Sequence, residues 1–136
     1  MTKVLVAVDG SENAQRAAAF AALMPGAQIT LLQVIIPVER YLKFFAELPM
    51  PQMDDDLKQF AEESLARAAA VFTGRPVEKA TVYGDPGESI ARYAENHGFD
   101  QIVMGTRGMG DLKGLILGSV SHQVIHLVKC PVTLVK

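Results

Sequence analysis

The chain has 136 residues, enough for one domain around one core. With 49% hydrophobic and 21% charged residues it has a globular composition, which excludes a disordered or fibrous chain. The formal net charge of −2 argues against nucleic acid as a partner, and the single cysteine, Cys130, excludes an internal disulfide and fits a cytoplasmic protein.

Met1-Thr2-Lys3-Val4 enters an apolar run at once, so neither a signal peptide nor a membrane span is expected. Lys3 to Asp9 (KVLVAVD) is valine-rich and nearly continuous, as in a strand buried on both faces of a parallel sheet. Asp9-Gly10-Ser11 breaks it, and Ser11 or Asn13 is placed to cap a helix. In that helix Ala14, Ala17, Ala18 and Ala21 recur on one face, and Pro25-Gly26 is its expected end. Gln28 to Ile36 (QITLLQVII) reads as a second buried strand stopped by Pro37. Residues 38–53 form a connection longer than usual, with Tyr41, Phe44, Phe45 and Leu48 in it. It reads as a small packed excursion in preference to a ligand lid.

Asp54-Asp55-Asp56 is expected to open a long helix, with its acids at the favourable dipole end. Leu57, Phe60, Ala61, Leu65, Ala68 and Phe72 make the expected buried stripe, and Gly74 the stop. Val77 to Tyr83 is a third strand. Asp85-Pro86-Gly87-Glu88 then starts a helix with a capping aspartate, proline at the first position and glutamate three residues after the cap. Ile90, Ala91 and Ala94 face inward in it, and Gly98 ends it. Gln101 to Met104 is a fourth strand. Ser119 to Lys129 is a helix with Val120, Val124, Leu127 and Val128 inward, and Val132 to Val135 is the last strand. Strict alternation of strand and helix implies an α/β fold, a doubly wound five-stranded parallel sheet with helices on both faces, in a single domain spanning 1–136.

The chemistry concentrates in Gly105 to Ser119 (GTRGMGDLKGLILGS), with glycines at 105, 108, 110, 114 and 118. Glycine accepts positive φ and lets backbone N–H groups approach a ligand. Gly118-Ser119 then opens a helix, whose free N–H donors and partial positive charge suit a phosphate. Ser119 and Ser121 add hydroxyl groups. If the first and fourth strands are neighbours, Asp9 and Gly105 emerge at one crevice at the switch point of the sheet, and Asp9 is placed to accept from a ribose or base edge as well as to start a helix. Arg107 reads equally as a solvated charge or a phosphate partner, and Lys113 as a surface lysine. His122, His126 and Cys130 stand at i, i+4 and i+8, a spacing that can hold zinc. With Cys130 against Pro131 and no fourth ligand in view, no metal site is expected, and Cys130 reads as a small buried hydrophobe.

The spacing Gly105-x2-Gly108-x9-Gly118-Ser119 resembles the nucleotide-binding pattern of the universal stress protein family. Val6-Ala7-Val8-Asp9-Gly10-Ser11 resembles that family's first strand and turn, and Cys130-Pro131-Val132 its last strand. The resemblance covers the whole chain. It implies a Rossmann-like fold of the adenine nucleotide alpha hydrolase type, ATP as ligand with Mg2+ as an optional companion, and a stress-response or regulatory role. It further implies that Ala7, Val8 and Asp9 touch adenine and ribose and that Val34 packs on adenine. Met104, Gly105, Arg107 and Gly108 would line the ribose and phosphates, and Gly118, Ser119, Val120 and Ser121 would hold the triphosphate.

No G-x4-G-K-[ST] occurs and no base stands beside the loop, so little or no hydrolysis is expected; a slow ATPase or other nucleotide-dependent enzyme is the alternative. A flavin-binding electron carrier has a similar topology, but the absence of tryptophan and the presence of only 3 tyrosines leave few stacking partners. The last strand, VTLV, carries no charge, and an edge strand of that kind invites pairing with a second copy. A homodimer through residues 132–135 is expected, with Thr133 as the seam position to test.

Overall fold

The computed structural model describes residues 1–37, 39, 50–108 and 117–136. The expected excursion residues Tyr41, Phe44, Phe45 and Leu48, and the loop residues Gly110, Lys113 and Gly114, lie outside the described residues. The elements are β1 (Lys3–Val8), α1 (Glu12–Ala21), β2 (Gln28–Ile35), α2 (Met50–Ala69), β3 (Glu78–Tyr83), α3 (Pro86–Asn96), β4 (Gln101–Gly105), α4 (Ser119–Leu127) and β5 (Val132–Val135).

All five strands pair in parallel, in the order β3-β2-β1-β4-β5. β1 is therefore central, with Val6 opposite Leu31 on one side and Val103 on the other. The valine-rich run behaves as its composition predicts. Val4, Leu5 and Val6 are all fully buried, because alternate side chains enter two different cores. Val4, Val6 and Val8 pack with Ile29 and Leu31 under α1 and α2. Leu5 joins Leu32, Ile90, Ala94, Ile102 and Val124 under α3 and α4. Helices thus cover both faces, the arrangement that strand–helix alternation predicts.

Local signals explain most boundaries. Ser11 caps α1, its hydroxyl accepting from the Ala14 N–H at 3.1 Å. Asp85 caps α3 by accepting from the Glu88 N–H at 3.4 Å, with Pro86 at the first position. The alanine face of α1 is buried as expected. That helix stops at Ala21, ahead of Pro25, whose ring disfavours helical backbone at Met24.

Four expectations are corrected. α2 begins at Met50, not Asp54, so the acidic triplet falls beyond the first turn; Asp54 instead pairs with Lys58 one turn on at 3.0 Å. Pro51 fits that earlier start, because the first turn needs no N–H. Phe60 does not belong to the buried stripe: it is 42% exposed and turned toward the β1–α1 corner, where a Cβ on Gly10 would lie 2.5 Å from its Cζ. Leu127 is half exposed, because α4 ends there and its inward face is Val120, Ser121 and Val124. Cys130 is only partly buried, although it packs against the α3–α4 core.

Candidate functional site

The chain leaves β1 outward through α1, β2, α2 and β3, then crosses back through α3 to β4 on the other side of β1. The winding direction thus reverses between β1 and β4, and a crevice opens beyond their C-terminal ends. A cavity of about 510 Å3 occupies that crevice. Its size falls within the roughly 300–1,000 Å3 of small-molecule sites.

Ala7, Val8 and Asp9 reach the cavity from the end of β1, and Val34 from the end of β2. Met104, Gly105, Arg107 and Gly108 line it from β4 and the loop after it, and Ser119, Val120 and Ser121 from the start of α4. Of the residues expected at the site, Gly118 alone does not line the cavity. It is the N-cap of α4, with φ −75° and ψ 165°, an extended conformation open to any residue. Its N–H donates to the Thr106 carbonyl at 2.6 Å, so its place is structural as well as local to the loop.

Thr106 is the hub that joins the loop to the sheet. Its N–H donates to the Val135 carbonyl at 2.9 Å, and its hydroxyl accepts from Asn13 Nδ2 at 3.3 Å. Asn13 in turn accepts from Arg16, whose Nε donates to the Lys136 carbonyl at 2.6 Å. Ser121 is buried, and its hydroxyl donates to the Gly105 carbonyl at 2.7 Å. Its proton is committed to that bond, so it fixes α4 against β4 instead of serving as the donor its spacing suggested. Asp9 Oδ1 accepts from the Ser11 N–H at 2.9 Å and thereby shapes the β1–α1 turn while lining the cavity.

The N-terminus of α4 differs from those of α1 and α3. Gly118 supplies no side-chain cap, whereas Ser11 and Asp85 cap their helices. Among the described residues no side chain caps the first N–H groups of α4, beside Ser119, where an anion would fit. The opposite end of the cavity is hydrocarbon: Val34, Ile35, Ile36, Leu57 and Phe60 line it. A polar, donor-rich end and an apolar end within one cavity suit a ligand with an anionic part and a flat apolar part.

Several lining residues escaped the sequence reading. Leu57 and Phe60 come from α2, and Asp85, Pro86 and Ile90 from the start of α3. No local pattern marks them, since tertiary packing alone brings those helices to the crevice. Gln33 also lines the cavity, and a glutamine inside an otherwise apolar central strand was the available signal. Among the described residues no group of three His, Cys, Asp or Glu side chains is placed to hold a metal ion. The His122 and His126 rings instead meet edge to face, with centroids 4.6 Å apart. No helix among the described residues is long and apolar enough to cross a membrane.

The universal stress protein family profile matches residues 1–136. The chain is 39% identical over 139 residues to a universal stress protein of Thermus aquaticus, covering 98% of this chain and 97% of that one. The solved structure of the hypothetical protein MJ0577 superposes with a TM-score of 0.82 at 31% identity, covering 99% of this chain and 95% of that one. A universal stress protein of Archaeoglobus fulgidus, solved in complex with dAMP, shares the fold with a TM-score of 0.70 at 22% identity, covering 100% of this chain and 98% of that one. With a parallel sheet wound about β1, a cavity at its switch point and relatives that match from end to end, the chain belongs to the universal stress protein family.

Proposed function

We propose that the chain binds an adenine nucleotide, ATP in particular, in the cavity between β1 and β4 and acts as a regulatory homodimer with little or no hydrolysis. The observation that carries this reading is the α4 N-terminus, which has no side-chain cap and stands beside the cavity lined by Gly105 and Gly108. It supplies N–H donors and partial positive charge where a phosphate chain would lie. Val34 and its apolar neighbours offer a wall for the base. The Archaeoglobus fulgidus protein of the same fold holds dAMP, which supports an adenine ligand here.

Turnover is expected to be slow, because the sequence places no P-loop lysine on the phosphates. The dimer reading rests on the contrast between the two sheet edges. β3 begins with Glu78 and Lys79, charges that protect an edge, whereas β5 is Val-Thr-Leu-Val. Ile125 and Leu127, both exposed on α4, add apolar surface to the segment that leads into β5.

Calorimetry of the purified protein with ATP and GTP, together with nucleotide analysis after acid release, tests the site. ATP should bind and GTP should bind more weakly. Absence of ATP binding, or equal affinity for the two, would defeat the proposal. Turnover of several per second, lost on changing Asp9, would make the chain an enzyme instead.

A further inference from the structure

The backbone that carries Arg107 and Gly108 is tied to the rest of the site through a side chain that lies outside the cavity. Thr106 does not line the cavity, although Gly105 before it and Arg107 after it both do. It is 9% exposed, and its partner Asn13 is 7% exposed. Asn13 Nδ2 donates to the Thr106 hydroxyl at 3.3 Å. A third residue fixes the direction of that bond. Arg16 donates to Asn13 Oδ1, and because a guanidinium only donates, the amide turns its oxygen to Arg16 and its NH2 group to Thr106. The Thr106 carbonyl in turn accepts from the Gly118 N–H at 2.6 Å. Three pieces of backbone that border the cavity thus meet at one threonine: the β1–α1 turn with Asp9, the end of β4 with Gly105, and the start of α4 with Ser119. Filling space does not explain the pair. Two apolar side chains of similar volume would pack between α1 and β4 without desolvating an amide and a hydroxyl. A satisfied polar contact in the interior instead specifies one arrangement of the elements it joins.

We propose that Thr106 is a positioning residue for the phosphate end of the nucleotide site. Through its bond to Asn13 the hydroxyl sets the spacing between the Asp9 turn and the backbone of Gly105 to Gly108, and with it the fit to a phosphate chain. The proposal deepens the adenine-nucleotide reading above and rests on it. Hydrogen bonds to a charged oxygen are short, and their strength falls steeply with misalignment. Donors on two separate elements, the backbone after β4 and the first turn of α4, serve one phosphate chain only while their separation is held. The base makes no such demand, because apolar contact with Val34 and its neighbours is non-directional. Loss of the Thr106 bond therefore acts on the phosphates and spares the base.

The test titrates the full chain with ATP, read by calorimetry, and with adenosine, read by NMR, since adenosine keeps base and ribose and lacks the phosphates. Thr106→Val keeps the shape and removes the acceptor. It should bind ATP about tenfold or more weakly, the equivalent of one lost hydrogen bond to a charged group, while its adenosine affinity stays within about twofold of the wild type. Thr106→Ser restores the hydroxyl and should recover most of the ATP affinity. A purely structural role would lower the melting temperature and move both ligands together, or neither. Unchanged ATP affinity in Thr106→Val overturns the assignment to Thr106 and leaves the nucleotide site standing. An equal loss for ATP and adenosine overturns it too, as does Thr106→Ser binding ATP as weakly as Thr106→Val. Absence of ATP binding by the wild type overturns both readings. If adenosine binds the wild type too weakly to titrate, the contrast between Thr106→Ser and Thr106→Val in ATP affinity decides. If Thr106→Val does not fold, Asn13→Ala removes the donor from the other side of the bond and is judged by the same criteria against Thr106→Ser.

Discussion

Replacing Gly105 by alanine separates two reasons for a glycine at the end of β4. In the sequence such a glycine stands for positive φ or for close approach to a phosphate. In the fold Gly105 closes a strand and is not among the glycines with positive φ. A methyl group there would lie 2.7 Å from the Asn13 Cβ and 3.0 Å from its backbone carbon. Favourable carbon contacts lie at about 3.5–4.0 Å, so α1 and β4 must part by about 1 Å. Neither element yields freely. The Ser11 cap, the Asn13–Thr106 bond and the Arg16 bond to Lys136 hold α1, and β4 is paired on both sides. Overpacking of this kind costs about 1–3 kcal/mol. An unstrained glycine-to-alanine change does the opposite, stabilising by about 0.4–1 kcal/mol through the unfolded chain. The sign of the effect therefore decides between the two accounts. At about 3–5 °C per kcal/mol for a domain of this size, the melting temperature of Gly105→Ala should fall by roughly 3–15 °C. Thermal unfolding followed by circular dichroism measures this directly. A Gly105→Ala protein that melts at or above the wild type refutes the close-packing account.

Ser119→Ala should weaken ATP binding by about 1.5–3 kcal/mol, read by calorimetry, because the lost hydroxyl bonds a charged group. Its melting temperature should not change, since Ser119 is exposed. The β5 seam is best tested at Leu134. Pro131 and Val135 accept from Ile102 and Thr106 of the β4 side, so strand alternation turns the Thr133 N–H toward β4 and the Leu134 N–H toward the open edge. Leu134→Pro should weaken the dimer in light scattering, whereas Thr133→Pro should lower the melting temperature by breaking the β4–β5 ladder; a dimer as tight in Leu134→Pro as in the wild type counts against the seam. Burial raises the Cys130 thiol above its ordinary value. The folded thiol should therefore react with an alkylating reagent more slowly than the urea-unfolded chain near pH 8.5, and stability should decline as pH rises through the unfolded thiol's range. Equal rates in the two states would contradict this.

Much of this protein is legible in the chain itself. The valine-rich strands, the alanine face of α1, the Ser11 and Asp85 caps and the glycine-rich segment after β4 are local signals. Each is set by side-chain periodicity, capping chemistry or backbone freedom within a few residues, and the structure keeps the strands, the alanine face and both caps. The strict alternation of elements also determines a parallel sheet, because right-handed crossovers leave few other ways to bury such strands. Tertiary structure alone decides how those signals are used. It assigns Gly105 to packing against Asn13, spends the Ser121 hydroxyl on the Gly105 carbonyl, and turns the Thr133 N–H inward. It also brings Phe60 from α2 and Pro86 from α3 to the cavity. These roles depend on which backbones meet across the chain, from Ser121 on Gly105, 16 positions apart, to Asn13 on Thr106, 93 apart. A spacing pattern shows which residues have the chemistry to contact a ligand, but the partner that already occupies each group is set only when the helices close on the sheet.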